Sequence, residues 1–95
     1  MISETPTYNG WKNRETWNVA MTINNDKSLY SAAVEWMRTV NRLPDVPGQP
    51  GREAPYVWFI NLLDLMDDKT PDGVEWISED LDYEALNEMM WELIK

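Results

Sequence analysis

Apolar positions along this chain recur at helical spacing, and the stretch 10–26, GWKNRETWNVAMTINND, is the segment around which the remainder is expected to pack. From Arg14 to Ile23 it reads as helix. Trp17, Ala20 and Met21 form one apolar line and Val19 with Ile23 a second, so this short helix should be buried on more than one side. Asn13 suits the N-cap, because its side-chain oxygen can accept from a free amide of the first turn. Glu15 then meets the positive end of the helix dipole. Asn24, Asn25 and Asp26 end the helix, since their side chains compete for backbone hydrogen bonds.

Asp26 is placed to cap a second helix over 27–41, with Leu29, Ala33, Trp36, Met37 and Val40 on one stripe and a short link that predicts a helical hairpin. Residues 42–55, RLPDVPGQPGREAP, carry four prolines and two glycines and are expected to form a long loop. Pro55 opens a third helix predicted over 55–67. That run is apolar almost all round: Tyr56, Phe59, Ile60 and Leu63 on one side, Trp58, Leu62 and Leu65 on another. A helix of this kind is central in a core or half in a subunit interface. Residues 67–73 read as a turn. Val74, Trp76 and Ile77 alternate with polar positions, but one strand lacks a partner, so irregular packing onto the helices is expected. Asp82 caps a last helix over 83–94, with Tyr83, Leu86, Met90 and Leu93 inward and Glu84, Glu88 and Glu92 opposite. The reading is all-α: residues 1–9 a flexible N-terminus, residues 10–95 one domain of about four helices, with the proline-rich loop between helices two and three.

Composition changes this picture in four ways. Six Trp, four Tyr and one Phe in 95 residues make the core chiefly aromatic, with some rings left for an interface. No Cys and no His are present, which removes disulfides, thiolate metal sites and the commonest general base near neutral pH. No signal peptide and no apolar run of membrane-spanning length is visible, so a cytoplasmic protein off the membrane is expected. Fourth, the net charge of −9 is unevenly placed: residues 1–63 balance six acids against six bases, whereas residues 64–95 hold eleven acids against Lys69 and Lys95. Such asymmetry points to a partner of opposite sign and argues against direct nucleic-acid binding, which needs a basic footprint.

The pattern W-x-N-x-E-T-W (Trp11, Asn13, Glu15, Thr16, Trp17) followed by I-N-N-D (residues 23–26) resembles a family of small uncharacterised proteins from phages, plasmids and bacterial genomes. The likeness covers residues 8–30 and, more weakly, 74–86. It implies a phage or mobile-element context and brings no catalytic residues with it.

The polar clusters are the candidates for chemistry. Asn13, Glu15, Thr16 and Asn18 could form a polar site, but each also has a local role in capping or on a solvated helix face, and that reading is preferred. Asp64, Asp67, Asp68 and Asp72 gather near Gly73, yet their spacing does not match a calcium loop, so no metal site is assigned. Glu75, Glu79 and Asp80 could pair for acid–base work, but a chain this small leaves little room for a cleft. No phosphate loop or nucleophile motif appears, and neither an enzyme nor a cofactor is expected. The acids remain. The row Glu84, Glu88, Glu92 costs roughly 0.2–0.5 kcal/mol per like-charged pair and gains nothing locally. Acidity can serve solubility alone. It can also imitate duplex DNA, which carries about one charge per 1.7 Å of axis. Charge alone favours solubility; the phage or mobile-element context that the resemblance implies makes the expected function a non-catalytic acidic protein that occupies a basic site on a host nucleic-acid-binding protein and inhibits it. Its contact residues would be Asp64, Asp67, Asp68, Asp72, Glu75, Glu79, Asp80, Glu84, Glu88 and Glu92, with Trp91 as anchor. The alternative is an adaptor that self-associates as a homodimer through the apolar helix 55–67.

Overall fold

The computed structural model describes residues 10–95; the expectation for residues 1–9 lies outside them. Asn13 begins the first helix as its chemistry dictates, its Oδ1 accepting from the Thr16 amide at 2.9 Å. This helix, α1, runs Arg14–Asn25. Asp26 ends it and caps the next, accepting from the Leu29 amide at 3.0 Å, and α2 follows over Lys27–Asn41. The two pack as a hairpin.

The proline-rich stretch is more ordered than expected. Pro50 starts a single-turn helix, α3 (Pro50–Glu53), with the proline in the first turn where its missing amide costs nothing. Gly51 lets this turn sit against Leu43, because a Cβ there would lie 3.0 Å from Leu43 Cδ1. Arg52 reaches back to the end of α2, donating to the carbonyls of Val40 and Leu43, each at 3.2 Å. The guanidinium thereby serves acceptors that every helix terminus leaves open.

Helix α4 spans Pro55–Leu62, so the third helix stops five residues short of the predicted end at Asp67. The stop is a Schellman turn. The Leu65 amide donates to Ile60 O and the Asp64 amide to Asn61 O, both at 3.0 Å, with Asp64 in the left-handed region at φ 60°. Glycine usually holds that position; an aspartate there gave no signal in the sequence. Helix α5 covers Tyr83–Glu92, two residues short of the predicted end. The fold is thus all-α, with four longer helices and the short α3.

Helix α2 packs against α1, α4 and α5, and α4 packs against α5. Val19, Ile23, Met37, Val40, Phe59, Ile60, Leu86 and Met90 are fully buried between them. Residues 63–82 form no helix, and an isolated antiparallel bridge pairs Lys69 with Glu75. As expected, Val74 and Trp76 of this segment are buried against the helices. Backbone bonding comes from neighbouring side chains: the Tyr56 hydroxyl donates to Trp76 O at 2.5 Å, and the Tyr83 hydroxyl bonds both Ser78 O and Ser78 N. Among the described residues no helix is long and apolar enough to cross a membrane.

Candidate functional site

Two polar side chains of α1, Thr16 and Asn18, do not face solvent, which corrects the solvated-face reading of them. Both are buried, Asn18 with 3% of its surface exposed. Thr16 Oγ1 accepts from the Asp82 amide at 3.0 Å. Asn18 Oδ1 accepts from the Thr70 hydroxyl at 2.7 Å, and Asn18 Nδ2 donates to Asp72 Oδ2 at 2.6 Å. Asn13 caps α1 as expected and also donates from Nδ2 to Asp80 O at 2.6 Å. One face of α1 therefore holds the non-helical segment 70–82 to the domain. Met21 was expected on an apolar line, but with the buried face occupied by Thr16 and Asn18 it turns outward, 39% exposed.

The same contacts sort the acids of the last third. Asp72 borders a depression beside Trp17 and Met21 and is bonded to Asn18. Glu75 and Asp80 border a second depression that also contains Arg14 and Lys69. Asp64, Asp67, Asp68 and Glu79 are exposed on the connecting segments. Glu84, Glu88 and Glu92 stand exposed along α5 at successive turns, and Glu88 and Glu92 border a third depression of about 580 Å³ with Trp11, Met89, Trp91 and Lys95. Arg14 and Lys69 thus lie near Glu75 and Asp80, whereas among the described residues Lys95 is the one cation in an ion pair with the α5 row, its Nζ 2.9 Å from Glu92. Among the described residues, Glu92 is the one acid of 64–95 in an ion pair; the other pairs, Arg38–Glu35 and Arg52–Asp45, lie elsewhere, both at 3.7 Å. Among the described residues the arginines of the proline-rich stretch form no ion pair with the acids of 64–95.

Trp91 is half-buried rather than free. The Arg52 guanidinium lies over its ring, 5.1 Å from the centroid. Trp11, Met89 and Arg52 are neighbours of Trp91 that the sequence reading missed; no periodicity links α5 to residue 11 or to the loop. Among the described residues the exposed large apolar side chains are Met21, Tyr30, Val46, Trp58, Leu62 and Met66, the last three at 43%, 63% and 42% exposure.

Among the described residues, buried titratable chemistry is confined to Tyr56. Burial pushes its phenol well above the usual tyrosine range, and neighbouring Tyr83 adds to the rise. Its hydroxyl already donates to a backbone carbonyl, which makes it a structural donor. Among the described residues no three carboxylates gather as a metal ion would require.

A family model matches residues 4–95, nearly the whole chain. The chain belongs to DUF7249, a family of unknown function. No curated protein and no solved structure matches it. Membership in DUF7249 therefore brings no activity to test against the geometry, and the surface must be read on its own chemistry.

Proposed function

We propose that this chain is a non-catalytic interaction protein whose acidic C-terminal surface docks on a basic surface of another protein. The observation that carries the reading is the exposed row Glu84, Glu88, Glu92, of which Glu88 and Glu92 border a depression with Trp11 and Trp91 and, among the described residues, only Glu92 is in an ion pair, with Lys95. A rigid helix bearing one charge per turn concentrates negative potential, which steers a cationic partner. In its stronger form the partner is a host nucleic-acid-binding protein, and occupancy of its groove inhibits it. The resemblance to small phage and plasmid proteins supports that form by association alone.

Immobilised protein offered a bacterial lysate at low salt tests this reading. Nucleic-acid-binding proteins should be retained, should elute steeply with salt and should be displaced by duplex DNA. The triple variant Glu84→Lys, Glu88→Lys, Glu92→Lys should retain none of them. Retention that survives the triple reversal contradicts the proposal.

A second reading, self-association through α4, is favoured by the exposure of Trp58, Leu62 and Met66. These side chains leave on the order of 300 Å² uncovered, taking about 200 Å² for a fully exposed large side chain. Two copies would bury roughly 600 Å², below the ~1,200 Å² of stable interfaces, so any such dimer is weak.

A further inference from the structure

The depression between Trp11 and Trp91 has a more specific chemistry than a negative surface. Trp91 borders two depressions that have no other residue in common. On one side lie Arg52 and Asp45: the guanidinium covers the ring at 5.1 Å while its Nε lies 3.7 Å from Asp45. A planar cation on the indole with a carboxylate at its N–H edge is therefore already built once into this fold. On the other side the indole borders an open groove of about 580 Å³, with Glu88 and Glu92 as the carboxylates and Trp11 and Met89 completing the wall. The second depression repeats the ingredients of the first and lacks the arginine. Its volume suits one or two side chains.

We propose that this groove binds an arginine side chain presented by a basic segment of a partner protein, with the Trp11 and Trp91 indoles taking the guanidinium face and Glu88 and Glu92 its N–H groups. The assignment rests on the acidic docking reading above and names the group recognised. Arginine fits better than lysine, because a planar, weakly hydrated fork can stack on a ring and meet carboxylates together, whereas a compact ammonium cannot do both. Charge complementarity favours a cation strongly: two carboxylates line the groove against one exposed lysine. Lys95 is the internal competitor, held to Glu92 at 2.9 Å with both side chains largely exposed, and such a pair is readily exchanged.

The test is titration of the full chain with two acetylated, amidated peptides of equal length and charge, one carrying arginine and one lysine among glycine and serine. Affinity is read by calorimetry at low salt and location by the indole N–H signals in ¹⁵N-labelled protein. The arginine peptide should bind at least about threefold more tightly than the lysine peptide. It should shift the Trp11 and Trp91 indoles and leave the other four in place. Glu88→Gln should weaken binding about threefold and Lys95→Ala should strengthen it about twofold, both being exposed positions that leave the core intact. Glu35→Gln, the same charge change on α2, should leave it unaltered. Equal affinity for both peptides, with Glu35→Gln as harmful as Glu88→Gln, would overturn the arginine site while leaving a diffuse acidic docking surface standing. Binding of neither peptide overturns the site as well, and lysate retention then decides the broader reading separately.

Discussion

Asn18 offers the sharpest test of how α1 holds the domain together. Its amide accepts from the buried Thr70 hydroxyl at 2.7 Å and donates to Asp72 at 2.6 Å. Asn18→Ala removes both bonds. Asp72 is exposed, so water replaces the amide and that loss is about 1 kcal/mol. Thr70 is buried and its hydroxyl proton loses its acceptor, which costs about 1–3 kcal/mol more. The total is about 2–4 kcal/mol, a large part of the stability of a small domain, and Tm should fall by roughly 10–30 °C. Urea unfolding followed by tryptophan fluorescence measures it, with the midpoint lowered and the slope unchanged. Thr70→Val should be comparably harmful, because the Val74 amide also bonds Thr70 Oγ1. The double variant should cost clearly less than the two single losses together, since both disrupt one network. A loss below about 0.5 kcal/mol for Asn18→Ala, typical of a surface site, would refute the reasoning; so would strict additivity in the cycle.

Other outcomes follow from single features. Asn18→Asp sets a carboxylate against Asp72, so the variant should be less stable than the parent at pH 7, and the difference should shrink near pH 4 as one carboxyl takes up a proton. Asp64→Gly removes a left-handed non-glycine residue from the end of α4 and should raise stability by about 0.5–1 kcal/mol, whereas Asp64→Val should lower it; thermal unfolding distinguishes the two. Tyr56 has its pKa raised in the folded state, so folding favours its neutral form. That contribution is fully present below pH ~10 and declines as pH rises further, so alkaline titration at 295 nm should show Tyr56 ionising only with unfolding. Trp58→Ala should abolish any concentration-dependent growth in size seen by light scattering and, because over half of the residue's surface is covered, should also lower stability by about 1–3 kcal/mol.

Much of the fold is legible in the sequence because the governing signals are local. Asn13, Asp26 and Asp82 each accept from a first-turn amide as read, and α2 has its predicted bounds. What escaped depends on contacts distant in sequence. Thr16 and Asn18 look like solvated positions until residues 70–82 are laid over them, 52 to 66 residues away. The end of α4 was missed because Asp64 adopts a backbone that usually marks glycine. The turn α3 was hidden in a stretch whose prolines argue for loop, although Pro50 at the first position permits a helix. The candidate surface is legible in part: the row of glutamates follows from the period of α5, whereas its tryptophan wall depends on residue 11 returning beside Met89 and Trp91.

The proposed docking of a cationic partner requires the negative potential of this chain to be greatest along the outer face of α5. Paramagnetic broadening of amide signals by a cationic nitroxide, compared with a neutral one, maps that potential directly without knowing the partner. The account predicts the largest charge-dependent broadening over residues 84–92 and at the Trp11 and Trp91 indoles, diminished by the triple lysine reversal. Even broadening around the domain, or a maximum over residues 64–72, would contradict it.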